Sequence, residues 1–222
     1  MDRTGNGKGL GRPGAPRLDH TASSVARCIR LAREGQGDAL SQILSAYRNY
    51  LKLIASTCFA RGLQGKADPS DIVQDTLIKV HENFHQFRGA TEQELLAWMR
   101  TILTRRLTDL YRRYKAGTER DVLRERSLEA DVARSSMALE GYLSSNGETP
   151  STRAGNREQS VVLADALARL GPDDREVITL RILLELPWEE VARRMDRSPD
   201  AVRMLWTRAV RRLGDLLGDP PP

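Results

Sequence analysis

The stretch that decides the fold runs from Asp68 to Lys115 and reads DPSDIVQDTLIKVHENFHQFRGATEQELLAWMRTILTRRLTDLYRRYK. It opens with helix start signals, because Asp68 can cap an amino terminus and Pro69 is tolerated in a first turn. Apolar residues then recur at helical spacing, at Val73, Leu77, Val80 and Phe84. The opposite face is polar and consists of Asp71, Asp75, Lys79 and Glu82. The pattern predicts an amphipathic helix whose polar face is solvated or meets a partner.

A second two-faced helix is predicted after a short loop. Its apolar stripe is Leu96, Met99, Leu103, Leu107, Leu110 and Tyr114. The other side carries Trp98, Thr101, Arg105, Thr108 and Arg112. A tryptophan among arginines and threonines, away from the core stripe, favours a nucleic-acid surface, because aromatic rings stack on unpaired bases and guanidinium groups hold phosphates. The alternative is a solvated basic face with one stray tryptophan.

The composition predicts an all-α protein with an anionic partner. The 222 residues include few aromatics (5%) and almost no β-branched runs, which favours helices. The formal charge is +5 and the arginines cluster on particular helices, which suggests binding to an anion. Cys28 and Cys58 lack metal-ligand or redox spacing and are predicted to be buried thiols. Without a membrane-spanning stretch or signal peptide, we expect a cytoplasmic protein associated with the nucleoid.

The chain divides into four segments. Residues 1–20 are rich in Gly, Arg and Pro, so we expect a disordered tail. Residues 21–115 are predicted to form a domain of about four helices, broken near residues 34–38. Residues 116–159 are predicted to be a flexible linker, with at most a short helix in the first half. Residues 160–218 form a second small helical domain, in which Gly171 ends one helix and Pro172 begins the next, EVITLRILLE.

The second informative stretch begins at Pro187 and reads PWEEVARRMDRSPDAVRMLWTRAVRRLGDLL. A short helix, a tight turn at Asp196 and a longer helix capped by Ser198 match helix-turn-helix spacing, and Asp tolerates the left-handed conformation that such a turn needs. Residues outside the apolar stripe would enter a major groove or hold its phosphates; they are Asp200, Arg203, Met204, Thr207, Arg208 and Arg211. An ordinary helical hairpin is the alternative.

With both stretches in the same order, the chain resembles the extracytoplasmic-function (ECF) group of the sigma-70 family from about Val25 to Leu217, apart from the linker. DPSDIVQDTLIKVHENFHQFRG looks like family region 2.2 running into 2.3, and ELLAWMRTILTRRLTDLYRRYK looks like the end of 2.3 and region 2.4. LADALARLGPDDREVITLRILLELPWEEVARRMDRSPDAVRMLWTRAVRRL is similar to region 4. The resemblance implies a non-enzymatic factor, without metal or cofactor, that binds core RNA polymerase, recognises the −10 and −35 promoter elements and opens DNA.

The resemblance also implies a role for individual residues. Those that match the surface docking on the polymerase β′ clamp helices are Asp71, Gln74, Asp75 and Lys79. Those that match the loop capturing a flipped −10 base are Phe87, Arg88, Gly89, Ala90 and Thr91. Those that match the helix opening that element are Trp98, Thr101, Arg105 and Arg112. The predicted −35 set is Ser198, Arg203, Met204, Thr207, Arg208 and Arg211.

Further implied partners are promoter DNA, the polymerase β flap and, as a candidate, an anti-sigma factor. The linker matches the segment that runs through the polymerase toward its active-site cleft. One departure concerns the recognition helix, where many members have Arg and this chain has Leu205 followed by Trp206.

Two competing interpretations also fit parts of the sequence. His81 to His85 spells HExxH, a zinc-hydrolase motif on a predicted helix, for which Glu92 or Glu94 would have to act as third ligand. A free-standing helix-turn-helix regulator would explain the carboxy-terminal half equally well. It would leave the acidic face of Asp71 and Asp75 without a role.

Overall fold

The computed structural model describes residues 22–62, 67–115, 120–145 and 155–218. The first five helices are α1 (Ala22–Arg33), α2 (Gly37–Gly62), α3 (Pro69–Asn83), α4 (Glu92–Lys115) and α5 (Arg120–Ser145), with a 3-10 turn (Phe84–Gln86) after α3. The remaining elements are α6 (Gly155–Arg169), α7 (Pro172–Ile178), a π-helical turn (Thr179–Leu183), α8 (Trp188–Arg194) and α9 (Pro199–Leu217). All regular structure in the described ranges is helical, which confirms the all-α prediction. The predicted tail, residues 1–20, lies outside the described residues.

Helix α3 begins as its sequence predicts. The Ser70 N–H donates to Asp68 Oδ1 at 2.7 Å, and Pro69 occupies the first turn. The predicted stripe is buried, with Val80 fully inaccessible. It packs against α2, whose Tyr47, Leu51 and Ile54 are also fully inaccessible. Helices α1 to α4 thus share one core, and burying each large apolar side chain contributes about 1.5–3 kcal/mol.

Helix α5 corrects one prediction, since it occupies 26 residues of the segment expected to be a flexible linker. Among residues 127–142, the part of α5 whose side chains are described, the buried large apolar side chains are Leu128, Val132 and Leu139. Other inward positions carry Ser135 and Ser136, which are buried. Polar residues on the inward face hide the apolar periodicity from which a helix is predicted. The rest of that segment, residues 116–119 and 146–154, lies outside the described residues.

Hydroxyl groups join α5 to α2. Thr57 Oγ1 lies 2.7 Å from Ser135 Oγ, and Tyr50 OH lies 2.9 Å from Ser136 Oγ. Arg100 of α4 also donates to Tyr50 OH at 3.3 Å. These hydrogen bonds satisfy polar groups that burial would otherwise penalise.

Two side chains of α2 reach the carboxy-terminal helices. Arg61 pairs with Asp131 of α5 at 3.2 Å and donates to the Leu183 carbonyl at 2.8 Å. Asn49 donates to Asp165 of α6 at 2.8 Å. In this structure the amino-terminal and carboxy-terminal helices therefore pack against each other through α2, α5 and α6.

The carboxy-terminal helices follow the predicted breaks with one difference. Gly171 lies at the amino-terminal cap of α7 and Pro172 in its first turn. Arg175 caps α6 by donating to three carbonyls, those of Leu167, Ala168 and Leu170, at 3.0, 2.9 and 2.8 Å. The segment predicted as one helix, EVITLRILLE, changes to the π-helical turn after Ile178. Within the described ranges, no helix combines the length and apolar character that a membrane crossing requires.

Candidate nucleic-acid interface

The polar face of α3 is available to a partner. Asp71, Gln74 and Asp75 are exposed, whereas Lys79 is half-buried and donates to Glu82 at 2.7 Å. The structure also places Ile78 beside them with 46% of its surface exposed. Sequence reasoning missed Ile78, although an apolar residue one position off the core stripe is a detectable signal. The face therefore combines two exposed carboxylates with one exposed apolar side chain.

The loop between α3 and α4 turns two aromatic rings inward. Phe87 is only 5% exposed, and its ring stacks on Trp98 with centroids 5.1 Å apart and planes 28° apart. Trp98 is half-buried and also meets Phe84 edge-on at 6.3 Å. The sequence-based interpretation of Trp98 as lying away from the core is wrong here, because the loop folds both phenylalanines onto it. In this arrangement Phe87 supports the loop from below.

The exposed part of the loop is held by a carboxylate. Glu94 Oε2 accepts from the N–H groups of Ala90 and Thr91 at 2.8 and 3.0 Å, and from the Thr91 hydroxyl at 2.9 Å. The Glu94 N–H in turn donates to Thr91 Oγ1 at 3.3 Å, which completes a capping box. The hydrogen bond from Ala90, followed by those from Thr91, lowers the pKa of Glu94. The carboxylate is therefore the form that fixes the loop.

A second group fixes the loop from α1. Arg33 donates to the Phe87 carbonyl at 3.1 Å and to the Gly89 carbonyl, and its guanidinium lies 5.5 Å from the centre of the Phe87 ring. At Gly89 a Cβ atom would lie 2.6 Å from both Glu94 Cβ and Phe87 Cζ. The sequence gives no signal for Arg33, since this contact joins residues 54 positions apart. The backbone of the loop is thus fixed from three sides, and Arg88, Ala90 and Thr91 remain exposed on it.

The outer face of α4 continues from this loop. Thr101, Arg105 and Arg112 are exposed, as predicted. Thr101 donates to the Ala97 carbonyl at 2.9 Å. Thr101 and Arg105 also line a groove between α4 and α5, whose other wall includes Glu129. The basic face of α4 can bind a phosphate backbone. The edge of this face next to α5 is negative, because Glu129 lies there.

Helices α8 and α9 have the predicted helix-turn-helix geometry. Asp196 adopts the left-handed conformation at φ 51°, and Ser198 accepts from the Ala201 N–H at 3.2 Å as amino-terminal cap. Both local predictions are confirmed. Ser198 itself and the residues predicted outside the stripe are exposed, namely Asp200, Arg203, Met204, Thr207, Arg208 and Arg211. Met204 stands out, since 66% of its surface is exposed.

Packing accounts for the two residues that depart from the family pattern. Leu205 is 5% exposed and belongs to the core. Trp206 is half-buried and meets Trp188 of α8 edge-on, with centroids 5.9 Å apart and planes at 79°. The residues that face outward beside them are Arg203 and Thr207, and the Thr207 hydroxyl donates to the Arg203 carbonyl at 3.0 Å.

The HExxH motif does not assemble a zinc site. Helix α3 ends at Asn83, so His85 lies in the 3-10 turn rather than on the same helix as His81. Glu82 pairs with Lys79, and the proposed third ligand Glu92 accepts from the Tyr47 hydroxyl at 2.6 Å in the core. Across the described part of the chain, no three His, Cys, Asp or Glu side chains come together in an arrangement able to hold a metal ion.

Comparison with known proteins identifies both halves of the chain. The family described as "Sigma-70 region 2" matches residues 46–117, and "Sigma-70, region 4" matches residues 160–213. The "ECF RNA polymerase sigma factor BldN" of Streptomyces coelicolor is 26% identical over 92% of this chain and 70% of its own length. The "RNA polymerase sigma factor CarQ" of Myxococcus xanthus is 26% identical over 84% of this chain and 94% of its own.

Two further similarities complete the comparison. The "ECF RNA polymerase sigma-E factor" of Haemophilus influenzae is 25% identical over 82% of this chain and 88% of its own. A solved structure of the RsbN–BldN complex matches with 21% identity and a TM-score of 0.31, covering 85% of this chain and 98% of that chain. The two family regions, in this order, show that the chain belongs to the extracytoplasmic-function group of the sigma-70 family, non-enzymatic factors that bind RNA polymerase and promoter DNA in transcription initiation.

Proposed function

We propose that this chain uses three surfaces to start transcription. The polar face of α3 docks on the β′ clamp helices of core RNA polymerase. The loop of residues 87–91 and the outer face of α4 capture and open the −10 element. Helix α9 reads the −35 element, and the carboxy-terminal helices also meet the β flap.

The main support for assigning −10 recognition to this region is the ordered backbone of the loop of residues 87–91. Flipping a base out of a duplex costs a few kcal/mol, so a site that captures it gains from being ordered beforehand. Arg33, Glu94 and the stacked Phe87 hold the backbone, and no side chain fits at Gly89. Backbone and small polar groups can then approach the base closely. Phe87 and Trp98 contribute by supporting this loop.

The exposed face of α4 fits the adjacent single strand. Thr101, Arg105 and Arg112 project along one side of a 24-residue helix, which spans about 36 Å at 1.5 Å per residue. That length allows several successive phosphate contacts. Contacts to the separated strand offset the free energy needed to break the base pairs, so no covalent chemistry is needed.

Helix α9 fits a major groove by its size and its exposed chemistry. Arg203 and Arg208 can donate to guanine O6 and N7, and Met204 offers an apolar contact to a thymine methyl group. Ser198 lies at the helix start, where backbone N–H groups face a phosphate. Arg211 lies farther along the same exposed side and reaches the flanking backbone.

The segments are proposed as residues 21–115 for polymerase docking and the −10 element, and 160–218 for the −35 element. Residues 116–159 connect them and include α5. Because α2 contacts both α5 and α6, the two parts touch in the absence of polymerase. We propose that they separate when the chain holds two DNA elements at once.

The decisive experiment joins the chain to bacterial core RNA polymerase and transcribes a randomised promoter library. We expect co-purification with core and selection of a two-part promoter. Asp75→Lys should weaken binding to core on every promoter, whereas Glu34→Lys, at an exposed carboxylate between α1 and α2, should not. Tight binding to duplex DNA without core, together with normal holoenzyme formation by Asp75→Lys, would overturn the proposal.

Two variants separate the DNA surfaces. Arg208→Ala should weaken initiation that depends on the −35 element. Arg193→Ala, at a 76% exposed side chain of α8 paired with Glu190, is the matched control and should not. Arg105→Ala should instead slow opening of the −10 element, measured by permanganate reactivity of unpaired thymines. Equal behaviour of Arg208→Ala and Arg193→Ala would contradict the assignment of α9.

A further inference from the structure

Trp188, the first residue of α8, lies at the centre of a cluster beneath the recognition helix. Its ring meets Trp206 of α9 edge-on, with centroids 5.9 Å apart. Two guanidinium groups also approach it. The Cζ atom of Arg181 lies 4.2 Å from the ring centre, and that of Arg203 lies 6.0 Å from it. Trp188 thus contacts both the core side and the exposed side of the helix-turn-helix.

The core side of the cluster is fixed by backbone geometry. Arg181 belongs to the π-helical turn, and its Nη1 donates to the Leu186 carbonyl. That bond orients the Arg181 guanidinium against the Trp188 ring. Trp188 is half-buried and packs against the apolar core. The ring is consequently held in place from below, independently of what binds above.

The exposed side of the cluster involves a predicted DNA contact. Arg203 is 48% exposed at its side chain and donates to Asp200 at 2.8 Å. Its guanidinium therefore has a carboxylate of its own helix as one neighbour and the π face of Trp188 as another. A long side chain has many rotamers in solution, and neighbours on two sides reduce that number before DNA arrives.

We propose that Trp188 is a positioning residue for promoter recognition: it holds the Arg203 guanidinium in the orientation that reads one base of the −35 element, without touching DNA itself. The inference rests on the proposed function of α9. Bidentate donation to guanine requires a defined guanidinium plane. A cation held over an aromatic face keeps such a plane. Trp188 thereby contributes to base specificity from outside the interface.

The test is a double-mutant cycle in holoenzyme, read as base preference at each −35 position of a promoter library. Trp188→Leu retains apolar bulk but removes the π face, whereas Trp188→Phe keeps an aromatic ring. We expect Trp188→Leu to lower the preference at the position that Arg203 reads by about two- to fivefold. Trp188→Phe should restore most of it. In the Arg203→Ala background, Trp188→Leu should have no further effect at that position.

Arg208→Ala supplies the matched background, since Arg208 lies on the same exposed side of α9. In the Arg208→Ala background, the effect of Trp188→Leu should persist in full, because the free-energy effects of substitutions at independent sites add. A uniform loss at all −35 positions, or the same loss in the Arg203→Ala background, would assign Trp188 to packing alone and overturn the inference while leaving the function of α9 intact. No change of preference in Arg203→Ala itself would overturn both the role of Arg203 and this inference. Thermal melting of each variant checks that the fold is retained.

Discussion

Replacing Gly89 by alanine tests whether the −10 loop depends on the absence of a side chain. The added Cβ would lie 2.6 Å from Phe87 Cζ and 2.6 Å from Glu94 Cβ. Ordinary van der Waals contact starts near 3.4 Å. Neither atom can move away easily. The Phe87 ring is stacked on Trp98, and Glu94 Cβ is attached directly to the backbone in the first turn of α4.

The size of the effect follows from these contacts. Relieving these two close contacts requires the packed aromatic stack to shift by roughly 1 Å. Overpacking of this kind destabilises a fold by about 1–3 kcal/mol. In a chain of this length, each kcal/mol lowers the melting temperature by about 2–4 °C. We therefore expect Gly89→Ala to melt about 2–12 °C below the wild-type chain.

Gly141 in α5 is the matched control. An alanine Cβ there meets nothing within 4 Å, and alanine is better than glycine inside a helix by about 0.5–1 kcal/mol. Gly141→Ala should accordingly melt at or above the wild-type temperature. Both variants would be followed by circular dichroism at 222 nm and by opening of a −10 element in holoenzyme.

The melting temperature and the opening of the −10 element together distinguish a loop that is only structural from one that captures a base. We expect Gly89→Ala to lose both stability and −10 opening while it still binds core polymerase, and Gly141→Ala to lose neither. If Gly89→Ala has a melting temperature equal to or above that of the wild-type chain, the loop accommodates a Cβ atom at residue 89 and does not need glycine there. If it is destabilised yet opens DNA normally, the fixed loop is structural and does not capture a base.

Three more predictions concern polar and titratable groups. Arg61→Ala removes the donor to the Leu183 carbonyl and the 3.2 Å partner of Asp131, whose other ion-pair partner, Arg134, lies 4.0 Å away. We therefore expect a loss of about 1–3 kcal/mol in urea unfolding. Glu94→Gln should lower the melting temperature at neutral pH. The pKa of Glu94 is lowered in the fold, so its stabilisation is complete above the ordinary value of 4.5 and is lost as pH falls through the lowered value. The difference between wild type and Glu94→Gln should therefore vanish in acid. Burial raises the pKa of Cys58 to about 12, so Ellman's reagent at pH 8 should label it only after unfolding.

Local chain chemistry accounts for what the sequence predicted well. A cap at Asp68, a proline in the first turn and a left-handed residue at Asp196 each act within a few positions. Their geometry follows from neighbouring residues alone. Helical periodicity also predicts the buried apolar stripes of α3 and α9 from the local sequence. Such signals are strong enough to place the helix-turn-helix and the order of both family regions.

The features that sequence reasoning missed depend on contacts between distant segments. Arg33 reaches Phe87 across 54 positions, and no periodicity connects them. The helical wheel places Trp98 off the apolar stripe and predicts that it is exposed, yet the loop supplies Phe87 to cover it. The sequence pattern does not indicate helix α5, because Ser135 and Ser136 face inward at positions where helical periodicity predicts apolar residues.

The same serines bear on how the chain can rearrange. Hydrogen bonds between hydroxyl groups contribute little net free energy, because water replaces them when the surfaces separate. Thr57 with Ser135 and Tyr50 with Ser136 are pairs of this kind. Water cannot compensate in this way for apolar side chains, because the buried rings and aliphatic chains around Leu51 lose about 25 cal/mol for each Å² that they expose. The hydroxyl-paired part of the α2–α5 contact therefore resists separation less per unit area than its apolar part, where Leu128, Val132 and Leu139 belong to the same core cluster as Leu51.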